Sequence, residues 1–199
     1  MPLVIVDTGC ANLASVKFAF ERLGINASIT DKADEISSAD RIILPGVGAA
    51  PFAMKAIEGK GLTETLKKLT QPVLGICLGM QILFDQLEEG GEITKGLGLI
   101  SGTVNALDSG TLPAPHMGWN KLTHLKGDPL LSGINESDYA YFVHSYAAPI
   151  SEATLAQCEY GQDFSAIVRR GNVWGCQFHP ERSAKLGAQI LKNFTEITL

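Results

Sequence analysis

Charge is scarce in this 199-residue chain: Asp, Glu, Lys and Arg make up 19% of it, where about 25% is ordinary. With 45% hydrophobic residues, that excludes a disordered chain, which needs low hydrophobicity and high charge. Basic residues are the scarcer sign, 16 against 21 acidic for a net charge of −5. No nucleic acid is therefore expected as the main partner, because such binding rests on cationic neutralisation of phosphates. Long apolar runs are missing too: none approaches the roughly 18 residues that suggest a membrane span. The opening Met1-Pro2-Leu3-Val4-Ile5-Val6-Asp7 has no basic region before its short apolar run, so no signal peptide is expected. Cysteines number four, Cys10, Cys77, Cys158 and Cys176. They form no Cys-x-x-Cys pair and no zinc spacing, so neither a metal site nor a disulfide framework is expected. A reducing cytoplasm fits that usage.

Glycine, by contrast, is abundant, with 21 residues, which points to tight turns and close backbone approaches. Leu3–Val6 is an apolar run ending at Asp7-Thr8-Gly9 and reads as a buried strand. Leu13, Val16, Phe20 and Leu23 follow at helical spacing, with Gly24 placed to end that helix. Residues 25–30 alternate as a second strand, and Arg41–Leu44 reads as a third, stopped by Pro45-Gly46. Residues 52–69 read as helix in two pieces, broken around Gly59–Gly61. A fourth strand spans 72–76, and a helix is expected over 78–88. That alternation predicts a single α/β domain over residues 1–199, with a mixed, mostly parallel sheet flanked by helices on both faces. After residue 90 the segments 97–107, 118–125, 139–147, 153–160, 164–169 and 172–178 read as strands, some antiparallel. A helix from about Ser183 closes the chain, with Leu186, Ile190, Phe194 and Ile197 on one face.

The strongest chemical signal is Gly75-Ile76-Cys77-Leu78-Gly79, set between an apolar strand and a helix. That is the nucleophile-elbow pattern in its expected context. The helix start brings a positive dipole end beside the sulfur, which favours the thiolate. A bare buried cysteine in a glycine-rich turn is the alternative. A cysteine nucleophile needs a base, and the base an orienter. His179-Pro180-Glu181 supplies both at the end of another predicted strand, in the manner of a Cys-His-Glu triad. In open α/β sheets the active crevice lies at such carboxyl ends.

Leu44-Pro45-Gly46-Val47-Gly48 follows a strand as well. A dinucleotide fingerprint is disfavoured, because Pro51 stands where the third glycine belongs and this is not the first βα turn. The segment reads as either a simple turn or an oxyanion strand, whose N–H groups would act jointly with that of Leu78. Two glycines flank Val47, so the intervening peptide can rotate between orientations. The aromatic-rich segments His116-Met117-Gly118-Trp119-Asn120 and Tyr141-Phe142-Val143-His144-Ser145-Tyr146 read equally as core or as a protein interface.

Gly75–Gln81, as G-x-C-x-G-x-Q, together with Phe178-His179-Pro180-Glu181, resembles the class I, triad-type glutamine amidotransferases. Pro45–Gly48, His116–Asn120 and Tyr141–Tyr146 narrow the resemblance to the branch that serves imidazole glycerol phosphate synthase in histidine biosynthesis. The resemblance implies a flavodoxin-like fold and glutamine as substrate. Cys77 would be the nucleophile, His179 the proton shuttle and Glu181 its orienter. Leu78 with Gly46, Val47 and Gly48 would form the oxyanion site. Gln81, Glu89, His144, Ser145 and Tyr146 would hold glutamine. No cofactor and no metal are implied. The ammonia would pass to a cyclase (β/α)₈-barrel subunit in a heterodimer, met through Asn12, Met117, Trp119, Asn120, Tyr141 and Arg182. One departure stands at the first strand's end, where Asp7-Thr8-Gly9-Cys10-Ala11-Asn12 replaces the family's frequent Asp-Tyr-Gly-x-Gly-Asn. A subunit serving another synthase, another cysteine hydrolase of similar fold and a catalytically silent scaffold are the competing expectations.

Overall fold

A computed structural model describes residues 2–136 and 138–199; Met1 of the opening heptapeptide lies outside them. In chain order the first half holds strands β1 (Leu3–Val6), β2 (Ala27–Thr30), β3 (Arg41–Gly46) and β4 (Val73–Cys77). Its helices are α1 (Leu13–Arg22), α2 (Ala33–Ser38), α3 (Ala50–Gly59), α4 (Thr63–Lys67) and α5 (Leu78–Gln81). Strands then dominate: β5 (Phe84–Glu89), β6 (Glu92–Lys95), β7 (Ile100–Ala106), β8 (His116–Lys121), β9 (Tyr139–His144), β10 (Tyr146–Ala147), β11 (Thr154–Tyr160), β12 (Gln162–Arg170) and β13 (Val173–Cys176). Helix α6 (Ala184–Glu196) follows.

The main sheet has seven strands in the order β11-β12-β13-β4-β3-β1-β2. It is parallel from β13 to β2 and antiparallel through β11, β12 and β13. Successive side chains of a strand point to opposite faces. Leu3 and Ile5 of β1 accordingly enter one core, with Val16 and Phe20 of α1 and Leu186, Ile190 and Phe194 of α6. Val4 and Val6 enter the other, with Ile36 of α2, Ile57 of α3 and Leu66 of α4. Every position of β1, β3, β4 and β13 is buried, as a parallel sheet covered on both faces requires. The buried Arg41 of β3 donates to the carbonyls of Phe194 and Ile197, a cation placed at the negative end of α6.

The strands expected after residue 90 do not all extend this sheet. A four-stranded sheet (β10-β7-β5-β6) and a two-stranded ribbon (β8-β9) stand apart from it. The ribbon's Phe142 joins the α1/α6 core, and Phe84, Leu87 and Val104 of the four-stranded sheet join the other.

Two expectations are corrected. β3 is not stopped by Pro45 but runs through it to Gly46, which pairs with Cys77. Its pairing with β1 ends at Ile43, and beyond that point a residue without an N–H is tolerated as on a sheet edge. The helix expected over 78–88 ends at Gln81, and Phe84–Glu89 is strand. The spacing of Leu83, Phe84 and Leu87 is helical; in the strand an irregularity between Phe84 and Gln86 brings Phe84 and Leu87 into the same core despite the two-residue alternation. What decides is the hairpin: Glu89 pairs with Glu92, and Gly90 and Gly91 between them have φ of +64° and +84°. That is the two-residue turn whose twist matches paired strands. Among the described residues no helix is long and apolar enough to cross a membrane.

Candidate active site

The carboxyl ends of β3, β4 and β13 meet where the elbow turns. Cys77 has φ +53° and ψ −114°, a conformation costly for a residue with a side chain and characteristic of functional sites. Its neighbours make the turn possible. A Cβ on Gly75 would sit 2.6 Å from the Gly79 carbonyl oxygen, and one on Gly79 would overlap the carbonyl of Leu44. The small residues of the elbow are thus imposed by backbone meeting backbone. Leu78 opens α5, so its N–H has no acceptor within that helix.

His179 is held from three sides. Its N–H donates to the Tyr141 carbonyl at 3.0 Å. Its own carbonyl accepts from the Ser183 hydroxyl at 2.7 Å, and the Ser183 oxygen in turn accepts from the Tyr141 N–H at 2.9 Å. The short 3₁₀ turn Pro180–Arg182 brings Glu181 back, with Oε1 2.8 Å from His179 Nδ1. The Glu181 side chain is 4% exposed. Burial by itself would push the imidazolium down. The hydrogen bonds and charges of Cys77 and Glu181 more than offset it, and His179 is raised to about 10. The charged form of His179 is therefore favoured, held between a sulfur and a carboxylate.

Cys77, Leu78 and His179 line a cavity of about 300 Å³ together with Val47, Gly48, Gln81, Glu89, His144, Ser145 and Tyr146. Of the residues expected for catalysis, the oxyanion and the substrate, only Gly46 and Glu181 are not among its walls. Gly46 lies under the elbow, where a Cβ would come within 2.8 Å of the Gly79 nitrogen. Two further residues, Pro115 and Val143, complete the wall; neither carries a reactive group by which sequence could mark it. Val143 offers its carbonyl 3.8 Å from Cys77 Sγ. Glu89 Oε2 accepts from the Ala50 N–H at 2.9 Å, at the start of α3. Gln81 Nε2 donates to the Tyr146 carbonyl at 2.9 Å and to Gln177 Oε1 at 3.0 Å. The Val47 N–H is turned out of the cavity and donates to the Cys10 carbonyl at 2.7 Å. So bonded, the Val47 N–H is not offered to the cavity.

The residues expected at a partner surface lie outside the cavity. Met117 and Trp119 of β8 are 62% and 51% exposed, on the ribbon face they share with their pairing partners Val143 and Tyr141. Trp119 packs edge-on against Tyr141 at 5.8 Å, and the Arg182 guanidinium sits 5.8 Å over the same ring. Because Val143 also lines the cavity, this aromatic face is continuous with the cavity wall. Asn12 is exposed and caps α1, accepting from the Ser15 N–H. Asn120 is turned inward, toward His116 and the Glu159 carbonyl. Strand alternation carries the signal for that: His116 and Asn120 share one face of β8, Met117 and Trp119 the other.

Residues 4–197 match the family described as glutamine amidotransferase class-I. Over 199 residues the chain is 51% identical to the imidazole glycerol phosphate synthase subunit HisH of Vibrio cholerae serotype O1, covering 98% of each. It is 52% identical over 207 residues to the protein of the same name in Colwellia psychrerythraea, covering 98% of this chain and 92% of that one. Among solved structures, a glutamine amidotransferase superposes with a TM-score of 0.74 at 21% identity, covering 97% of both chains. A glutamine amidotransferase from Thermotoga maritima superposes with a TM-score of 0.62 at 14% identity, covering 98% of this chain and 83% of that one. At such identities the likeness concerns the fold alone.

Proposed function

The chain belongs to the class-I glutamine amidotransferase family, and from that premise we propose that it is the glutaminase subunit of an imidazole glycerol phosphate synthase. The observation that carries the reading is the triad at the elbow. Cys77, at positive φ, opens onto the cavity of about 300 Å³, and His179 stands between its sulfur and Glu181.

The chemistry follows from that placement. The Cys77 thiolate attacks the side-chain amide carbon of glutamine, and the Leu78 N–H faces the developing oxyanion. The His179 imidazolium gives its proton to the departing ammonia. It then takes one from the water that attacks the γ-glutamyl thioester, while Glu181 holds the ring in one tautomer. Glutamate leaves and the thiolate is restored. Residues 1–199 act as one glutaminase domain, in the cytoplasm.

The ammonia passes to a cyclase built as a (β/α)₈ barrel, which uses it to form imidazole glycerol phosphate and aminoimidazole carboxamide ribonucleotide. The exposed Met117, Trp119 and Arg182, with the half-buried Tyr141, are the proposed docking face, beside the cavity wall at Val143. Docking also acts on the oxyanion strand: a partner that binds more tightly when Val47 N–H is released from Cys10 raises the population of that state.

The test is glutamate release from glutamine by the full chain with such a cyclase, beside Cys77→Ser. The expected result is glutamine-dependent turnover in the wild type, none in Cys77→Ser, and rescue of the cyclase step in both by free ammonium. Near-normal glutamine-dependent turnover in Cys77→Ser would remove the nucleophile assignment. Activity with a different synthase and none with the cyclase would assign the chain to that synthase.

A further inference from the structure

Behind the cavity wall runs a chain of hydrogen bonds that the reaction itself does not use. The Tyr146 carbonyl can only accept, so His144 Nδ1, 2.9 Å away, is the donor. Burial lowers His144 to about 3 and His116 to about 4, so both rings are neutral at neutral pH. A neutral His144 that donates from Nδ1 must accept at Nε2, and His116 Nδ1 lies 3.0 Å from it. His116 Nε2 is then an acceptor in turn, facing Asn120 Nδ2 at 3.3 Å. The donors thus run one way, from Asn120 through His116 and His144 to the Tyr146 carbonyl. That carbonyl accepts a second bond from Gln81, which also holds Gln177. His116 is clamped by stacking, with its ring centroid 4.9 Å from Phe142 and 4.0 Å from Tyr160, both at 20° between planes.

We propose that His116 is a positioning residue for the glutamine site: through its Nδ1–H bond to His144 it fixes the Tyr146 carbonyl and Gln81, and so the cavity wall at 144–146. His116 does not itself line the cavity, whereas His144, Tyr146 and Gln81 do. The order of the chain explains why one ring controls three wall residues. Each bond sets the tautomer of the next member, and removing the donor leaves the buried His144 Nε2 without a partner. Relief of that unpaired acceptor requires the 144–146 backbone to move. Glutamine binding is the step that senses the move; the triad, held separately through Tyr141 and Ser183, does not.

The proposal rests on the glutaminase reading, and one set of assays separates the two. The full chain is assayed with its cyclase partner as wild type, His116→Phe and His116→Asn. Phe keeps an aromatic ring in the stack but removes the donor; Asn returns an N–H near the lost Nδ1–H. Expected for His116→Phe is a rise of about tenfold in KM for glutamine, the size of one buried hydrogen bond, with kcat within threefold. His116→Asn is expected to bring KM back to within threefold of wild type. In ¹⁵N spectra, wild-type His144 is expected to carry its proton on Nδ1. An unchanged KM in His116→Phe, or equal losses of KM, kcat and thermal stability in both variants, would overturn the proposal. Should His116→Phe fail to fold, the wild-type tautomer decides, and a proton on His144 Nε2 overturns it. A wild type that releases no glutamate with the partner overturns the glutaminase reading instead.

Discussion

Val47 gives its backbone N–H to the carbonyl of Cys10, at 2.7 Å, and so a donor that the proposed oxyanion site would use is spent on the loop that follows β1. One missing oxyanion donor typically costs about 10²–10³ in rate. The isolated chain is therefore expected to hydrolyse glutamine about 10²–10³ more slowly than the chain with the proposed cyclase partner. The same addition should change the amide resonance and hydrogen exchange of Val47. Equal rates and an unmoved Val47 amide would end the gating reading. Replacing Gly46 is no test of the rotation, since a Cβ there would press on the Gly79 nitrogen and the elbow itself.

The two partners of the triad should differ in severity and in pH dependence. His179 is raised to about 10 from an ordinary 6.5; burial opposes the rise, and Cys77 and Glu181 produce it. The stability that charged His179 contributes is fully present below about 6.5 and is lost as pH rises through about 10. Glu181→Gln removes one of the groups that favour the imidazolium. Its glutaminase activity should fall moderately, and the alkaline limb of its pH profile should move to lower pH. His179→Ala would lose the proposed proton shuttle of both half-reactions and is expected to lower activity by about 10²–10⁴. Profiles of kcat/KM against pH check both, and an alkaline limb that stays put in Glu181→Gln would contradict the pairing.

Gly79→Ala should be among the most damaging small changes in the protein. Its Cβ would overlap the Leu44 carbonyl, backbone against backbone, at a cost of about 3 kcal/mol or more. Gly59→Ala at the end of α3 meets nothing within 4 Å and should instead stabilise by roughly 0.5–1 kcal/mol. Thermal or urea denaturation of the pair distinguishes a packed elbow from a general intolerance of alanine.

Trp119→Ala should weaken association with the cyclase roughly 30-fold, as for a central aromatic anchor, with no effect on the fold of the isolated chain. Titration of the partner by calorimetry measures it. Affinity unchanged within twofold would move the docking face elsewhere.

Much of the site was legible because it is local. Gly75, Cys77 and Gly79 sit within one turn, and His179 and Glu181 are two residues apart, so spacing alone marks an elbow and an oriented base. The buried parallel strands were legible for a similar reason, as continuous apolar runs between helical patterns. Residues 84–89 were not, because the three-residue spacing of Phe84 and Leu87 reads as helix; the irregularity between Phe84 and Gln86 that reconciles it with a strand, and the Gly90-Gly91 turn, count only once a partner strand is there to pair with. Nor was the link from His116 to His144. The two rings stand 28 residues apart and meet only through the register of β8 against β9.

The amino-acid sequence by itself determined which groups can react. A thiol on a turn that tolerates only glycine around it, and an imidazole with a carboxylate two positions on, are properties of short segments, and short segments choose their backbone largely from their own sterics. Only the tertiary structure decided the state those groups are in. It sets the charge on His179, which depends on what burial removes and what Cys77 and Glu181 return. It sets the neutrality of His116 and His144, and the direction of the Val47 N–H, since β3 and the loop after β1 are brought together by the sheet. Electrostatics and hydrogen bonding act over a few ångströms of space, whatever the distance along the chain.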